Sequence, residues 1–123
     1  MKLRRTIGSV LVLGFLSVPI ARAEPPAKVQ LEVEFLLSYI EASGCEFYRN
    51  GTWHDAKEAQ AHLRSKYRYL VGINRIDATE DFIEKAATKS SLTGQPYGVR
   101  CIGGTKQASD HWLRDALARR RAP

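Results

Sequence analysis

Three polar residues, Glu58, His62 and Lys66, stand at successive four-residue steps. On a helix this spacing places the three side chains along one line. A carboxylate can orient an imidazole as a general base or as a metal ligand, so the row could form a polar site. A metal site would need further donors, and the candidates elsewhere in the chain are His54, Asp55 and His111. The simpler interpretation, which the sequence favours, is a helix-stabilising charge row whose His62 bonds a neighbouring loop.

A hydroxyl-rich loop over residues 90–97 is a second candidate site. A serine nucleophile needs an activating base and oxyanion donors, and the Gly-x-Ser-x-Gly and Ser-x-x-Lys patterns are absent. Gly94 and Gly98 do not precede a Lys-Ser/Thr pair, so a phosphate-binding loop is not indicated. We therefore expect Ser90 and Ser91 to bond helix-end carbonyls before the turn into a strand, with binding through exposed hydroxyls as the alternative.

Aromatic and basic residues cluster around Asn50-Gly51. Strand alternation places Phe47 and Arg49 on one face and Tyr48 on the other. One face must pack on helices, so the second could present an aromatic, basic surface of the kind that binds glycans, acidic polymers or proteins. Core packing accounts for most of these rings. The predicted contact residues of the whole chain are Tyr48, Arg49, Glu58, His62, Lys66, Ser90, Ser91 and Tyr97.

The first 23 residues have the composition of a cleavable signal peptide. A basic start (Lys2, Arg4, Arg5) precedes an apolar stretch over residues 6–20, and Ala21-Arg22-Ala23 fits the small-x-small rule, so we predict cleavage after Ala23. This segment holds four of the 19 Lys and Arg residues in a chain of net charge +6. The predicted mature domain, residues 24–123, therefore has neither a basic stripe for nucleic acid nor an apolar stretch that could span a membrane.

If the protein is exported, its two cysteines, Cys45 and Cys101, are expected in an oxidising compartment. An even pair in a small exported domain indicates one disulfide. The two are not in a Cys-x-x-Cys arrangement, so a thioredoxin-like redox role is not indicated, and two thiolates alone do not form a zinc site. Closing this loop should stabilise the fold by about 4 kcal/mol.

Hydrophobic periodicity and turn signals predict the order α-β-β-α-α-β-α, which is a small α+β domain. Helices are predicted over residues 28–42, 56–69 and 78–89 and from Ser109 onward, with capping boxes at Asp55/Glu58 and Asp77/Glu80 and a cap at Ser109. Asn50-Gly51 predicts a type I′ hairpin turn. The strand predicted over residues 97–102 can extend the hairpin to a three-stranded sheet if the disulfide forms.

Each predicted helix has an inward-facing set of apolar residues at helical spacing. The sets are Val29, Val33, Leu36, Leu37 and Ile40; Ala59, Leu63 and Tyr67; Phe82, Ile83, Ala86 and Ala87; and Trp112, Leu113, Ala116 and Leu117. Arg119, Arg120 and Arg121 fall in the last turn of the final helix, where cations complement the exposed carbonyl dipoles.

Several motifs occur in order along the chain. They are Ser43-Gly44-Cys45-x-Phe47-x-Arg49-Asn50-Gly51, Glu58-Ala59-x-x-His62-Leu63-x-x-Lys66-Tyr67, Thr79-Glu80-Asp81-Phe82-Ile83, Ser90-Ser91-x-Thr93-Gly94-x-Pro96-Tyr97, Cys101 and Trp112-Leu113-x-x-Ala116-Leu117. Together they resemble the YfeK-like family of small periplasmic bacterial proteins, a family of unknown function. The resemblance implies export from a Gram-negative cell and a single compact domain, and it supplies no catalytic residue. Residues 70–76 are more apolar than this family's pattern.

Two functions from different classes follow. The favoured one is a periplasmic, non-catalytic binding or interaction module whose partner is an envelope protein or a cell-wall component, without a cofactor or a bound metal. The alternative is a small hydrolase or metal-dependent enzyme centred on Glu58 and His62. Geometry separates them, because such chemistry requires His62 within about 3 Å of a second reactive group in a concave pocket.

Overall fold

The structure is a computed structural model that describes residue 3, residues 6–17 and residues 24–123. The predicted cleavage motif Ala21-Arg22-Ala23 and the basic residues Lys2, Arg4 and Arg5 lie outside the described residues. Every buried residue in the described part of the chain lies between Pro25 and Leu117, so residues 24–123 contain the whole described core. None of the described helices combines the length and the apolar character needed to cross a membrane.

In the part of the chain that the structure describes, four helices and four strands form an α+β fold, which confirms the predicted class. The elements are α1 (Ala27–Ala42), β1 (Glu46–Arg49), β2 (Thr52–His54), α2 (Ala56–Gly72), α3 (Thr79–Ala86), β3 (Gly98–Arg100), β4 (Gln107–Ala108) and α4 (Ser109–Arg121). The strand β4 was not predicted, because two residues are too few to show an alternating pattern.

The strands form one antiparallel sheet in the order β2-β1-β3-β4. The turn between β1 and β2 has positive φ at Asn50 (49°) and Gly51 (83°), as the predicted type I′ turn requires. β3 pairs with β1 as predicted, with Glu46 opposite Arg100. Cys45 and Cys101 are therefore neighbours at one end of this strand pair, and the predicted disulfide joins them.

The helices cover one face of the sheet, which we call the inner face. Phe47 of β1 and Val99 of β3 are buried there, and Phe47 meets Trp112 of α4 edge-on at 5.7 Å between ring centroids. The predicted inward-facing residues of α1, α3 and α4 are all buried, with Ala87 directly after α3. Leu63 of α2 is also buried, and the other two residues of its set are partly buried against the core.

Two predicted helix boundaries shift. α2 continues to Gly72 instead of ending near residue 69, since Leu70 and Val71 are partly buried against the core. α3 ends at Ala86, three residues before the predicted end, and the hydroxyl of Thr88 donates to the carbonyl of Ile83 at 2.8 Å. This bond satisfies an end-of-helix acceptor and closes the last turn.

The predicted caps are correct at one helix and wrong at two. The Asp55 carboxylate accepts from the backbone N–H of Glu58 at 2.8 Å, as predicted. At α3 the capping carboxylate belongs to Asp81, which accepts from the N–H groups of Asp77 and Ala78 at 2.9 and 3.0 Å. At α4 Ser109 is the first helical residue and makes no cap hydrogen bond from its side chain.

A buried carboxylate on α1 forms hydrogen bonds with both α3 and α4. Glu32 is only 5% exposed, and both of its oxygens accept from the Arg121 guanidinium, at 2.7 and 2.8 Å. Thr79 at the start of α3 donates its hydroxyl to Glu32 at 2.7 Å, and Arg121 also pairs with Glu80. The last arginine of α4 therefore does more than complement the helix dipole, because it joins α4 to α1 and α3.

Candidate functional site

A cleft opens between the hairpin, α2 and the start of β3, and it brings together five of the eight predicted contact residues. Its space for the centres of water-sized molecules is about 30 Å³, enough for about two waters. The residues that line this cleft are Phe47, Tyr48, Arg49, His54, Glu58, Ala59, His62, Leu63, Tyr97, Gly98 and Ser109.

Local structure explains how the cleft is assembled. The capped start of α2 presents Glu58 and His62 one turn apart, as their spacing predicts. Arg49 is the last residue of β1 and shares the inner face with Phe47 by strand alternation. Tyr97 directly precedes β3, and its backbone carbonyl accepts from the N–H of Ser109 at 3.0 Å. The cleft therefore depends on segments far apart in the sequence.

Tyr97 joins two members of the predicted polar row. Its hydroxyl lies 3.3 Å from Nε2 of His62 and accepts from the Lys66 ammonium at 3.2 Å. Lys66 also donates to the backbone carbonyl of Lys89 at 3.3 Å and lies 5.0 Å from the centroid of the Tyr97 ring. His62 and Lys66 thus attach α2 to the segment before β3, as the structural interpretation of the row predicts.

The environment favours neutral side chains at the centre of this network. Burial, reinforced by the positive charges of Arg49 and Lys66, lowers the pKa of His62 to about 4. Burial also lowers the pKa of Lys66, with a further contribution from Arg49, and it raises the pKa of Tyr97. At neutral pH His62 is therefore uncharged and Tyr97 is a protonated phenol.

The third member of the row, Glu58, does not orient His62. Its carboxylate accepts instead from Nδ1 of His54 at 3.0 Å. The distance in the geometric criterion is nearly reached, because the Tyr97 hydroxyl lies 3.3 Å from His62 in the cleft, but the carboxylate that was to orient His62 has a different partner. Within the described residues, no three His, Cys, Asp or Glu side chains come together as a metal-holding group. His111, on α4, lies 3.6 Å from Asp115.

The serine loop has a different role from the predicted one. Ser90 is buried, and its hydroxyl oxygen accepts from Asn50 at 3.1 Å and from the backbone N–H groups of Leu92 and Thr93 at 3.2 and 3.3 Å. It therefore bonds the loop and the hairpin tip rather than helix-end carbonyls. Ser91 is exposed and lines a second hollow, which it shares with His62 and Lys66.

By strand alternation the Tyr48 ring lies on the opposite, outer face of the sheet from Arg49, although Tyr48 is also among the residues that line the cleft with Arg49 and His62. The Tyr48 ring meets Trp53 edge-on at 5.3 Å. The Lys106 ammonium lies 3.6 Å from the centroid of Tyr48, and the Arg100 guanidinium lies 4.1 Å from that of Trp53. Lys106 is the last residue of an irregular loop without a periodic signal, which is why the sequence did not reveal it.

The comparisons agree with the motif resemblance. The sequence profile of a family of unknown function (DUF5329) matches residues 27–121. The uncharacterized protein YfeK of Salmonella typhimurium is 51% identical over 51 residues, which are 42% of this chain and 41% of that relative. The aligned segment thus covers less than half of the relative's length. No solved structure matches the chain. The resemblance to the YfeK-like proteins is confirmed, and the chain belongs to the DUF5329 family of unknown function.

Proposed function

We propose that the protein is an exported, non-catalytic binding module of the bacterial cell envelope, and that its partner, an envelope protein or a cell-wall component, inserts a group into the cleft. The observation that carries this proposal is the half-buried Arg49, which forms no ion pair or side-chain hydrogen bond within residues 24–123. A guanidinium of this kind is available to a ligand. Its neighbours His62 and Lys66 each already bond the Tyr97 hydroxyl.

The surroundings of the cleft support binding because they are fixed before a ligand arrives. The disulfide joins the ends of β1 and β3, and Asn50 at the hairpin tip bonds both Ser90 and Thr93. A preorganised site loses little conformational entropy when it binds. The cleft can therefore bind a ligand even if the two make few contacts.

Export is supported by two independent features. The N-terminal segment has the basic start, apolar stretch and small-x-small motif of a signal peptide. The Cys45–Cys101 disulfide is of a type that forms and persists in oxidising compartments. Removal of residues 1–23 leaves a domain, residues 24–123, that retains every buried residue of the described structure.

One observation favours the hydrolase alternative. The neutral imidazole of His62 lies 3.3 Å from the Tyr97 hydroxyl, which is the geometry of a base beside a proton donor. The test is hydrolysis of ester and cell-wall substrates by purified protein, metal-stripped and then metal-reconstituted. Activity that His62→Ala abolishes while the fold survives would replace the binding proposal.

A larger side chain that fills the cleft tests whether the partner binds there. Ala59 lines the cleft, whereas Ala61 is exposed on the same helix. We expect Ala59→Phe to lose capture of envelope components and of isolated peptidoglycan, and Ala61→Phe, the matched control, to retain both. Undiminished capture by a folded Ala59→Phe protein would remove the cleft from the function.

A further inference from the structure

Positive charge exceeds negative charge at the cleft. The Arg49 guanidinium lines it, and the Lys66 ammonium donates to the hydroxyl of Tyr97, which also lines it. The one carboxylate among the lining residues, Glu58, is bonded to His54. This positive charge disfavours protonation of the neighbouring groups, since Arg49 contributes to the lowered pKa values of both His62 and Lys66.

The walls between these charges are apolar and close together. Phe47, Ala59 and Leu63 contribute side chains, and Gly98 contributes no side chain at all. The space of about 30 Å³ admits a group of a few heavy atoms. A ligand that fits both features has a small apolar group directly attached to an anion.

We propose that the cleft binds a carboxylate joined to a small apolar group, with the carboxylate on the Arg49 guanidinium. A planar guanidinium matches a carboxylate through two parallel N–H···O bonds, which distinguishes Arg49 from the point charge of Lys66. The inference rests on the proposed function and names its ligand chemistry. The carboxylate can come from the C-terminus of a peptide or from a free short-chain acid.

The half-buried position of Arg49 gives the pairing its strength. Exposed ion pairs contribute little because water and salt screen them, whereas partly buried pairs are screened much less. Arg100 provides the contrast on the same sheet, because its guanidinium is exposed and already paired with Glu46 at 2.6 Å.

The experiment uses three small probes and the oxidised protein spanning residues 24–123, which contains the whole described core. N-acetylalanine has the carboxylate beside a methyl group, its carboxamide analogue has the same shape without charge, and propionate is the free acid. Backbone amide NMR shifts report where and how strongly each probe binds. We expect N-acetylalanine to shift the cleft residues and the carboxamide to leave them unchanged. Tighter binding of N-acetylalanine than of propionate assigns the peptide source, and the reverse assigns the free acid.

Variants then test the role assigned to Arg49. We expect Arg49→Gln to weaken binding of N-acetylalanine about tenfold or more, and Arg49→Lys, which keeps the charge, to weaken it less. Arg100→Gln is the matched control and should leave the affinity unchanged. Arg49→Lys also serves as the folded test variant if Arg49→Gln does not fold.

Two outcomes overturn the inference in distinguishable ways. Equal binding of the acid and the carboxamide, or unchanged affinity in Arg49→Gln, would mean that the cleft binds ligands without selecting an anion, and the proposed function would survive. Absence of any probe shift, together with envelope capture that Ala59→Phe does not reduce, would reject both the carboxylate and the cleft.

Discussion

At the scale of single residues, His62 shows how far the fold changes a side chain's chemistry. Its helical spacing from Glu58 suggested a carboxylate-oriented imidazole, but Glu58 bonds His54 and His62 meets a phenol. Burial without a negative partner favours the uncharged ring, whereas a carboxylate at hydrogen-bond distance would have favoured the charged one. His62 therefore belongs to the packing of α2 on β3 as well as to the cleft.

This environment predicts a particular pH dependence. The pKa of His62 falls to about 4 in the folded protein, against about 6.5 for an unfolded chain. The unfolded state consequently binds this proton first, and stability is lost as the pH falls from about 6.5 to 4. We expect His62→Gln to flatten this part of the thermal stability profile and His111→Gln to leave it unchanged. Direct NMR titration of His62 with a midpoint near 6.5 would contradict the prediction.

The sequence predicted the line of polar residues on α2 but not the partners of its members. Periodicity shows which side chains share a helix face, since it depends on local geometry alone. The partners come from elsewhere in the chain: Tyr97 is 31 residues from Lys66, and Ser90 is 40 residues from Asn50. Such pairings depend on how the elements pack, so Ser90 was assigned the wrong bonds and Lys106 was missed.

At the scale of elements, the positions of the helices could be predicted from the sequence, whereas the hydrogen bonds at some of their ends could not. The sequence located all four helices, because their buried faces repeat at helical spacing. Their ends depend on single side chains, and at α3 Asp81, not the predicted Asp77, supplies the capping carboxylate. The α1–α3–α4 contact through Glu32 was invisible in sequence, since a buried glutamate in an apolar helix face has no local signal.

The contact made by Glu32 predicts a large loss of stability on substitution. We expect Glu32→Gln to cost about 2–3 kcal/mol, because it removes charge-assisted hydrogen bonds from Arg121 to a buried carboxylate, while Arg121 keeps its pair with Glu80. Glu34→Gln is the control on the same helix; Glu34 is exposed and its pair with Arg64 should contribute about 1 kcal/mol or less. Urea unfolding measures both, and equal losses would contradict the assigned role of Glu32.

The pair of Glu32 and Arg121 predicts a second pH range over which stability changes. The hydrogen bonds from Arg121 lower the pKa of Glu32 to about 2 from a usual value of 4.5. Its contribution to stability is therefore complete above about pH 4.5 and is lost as the pH falls towards 2. Glu32→Gln should remove this acid-dependent loss, which lies below the window of His62, and a profile unchanged from wild type below pH 4.5 would contradict the assignment.

At the scale of the whole molecule, the disulfide restricts how far the unfolded chain can expand. It joins residues 56 apart in a small domain. We expect Cys45→Ser to lower the free energy of unfolding by about 2–5 kcal/mol, and reduction of the wild-type protein to have a similar effect. Intact mass should show no free thiols in exported material, and two free thiols there would contradict the prediction.

The proposed place of action depends on export of the protein through its N-terminal segment. Expression of the full chain in a Gram-negative host should yield periplasmic protein that begins at Glu24 and carries the Cys45–Cys101 bond, because signal peptidase cuts after small residues such as Ala23. Ala23→Glu should block processing and leave the precursor attached to the membrane. Ala27→Glu, an exposed position at the start of α1, should be processed normally. N-terminal sequencing and intact mass measure each outcome, and unprocessed wild-type protein in the cytosol would reject both the cleavage site and the envelope location.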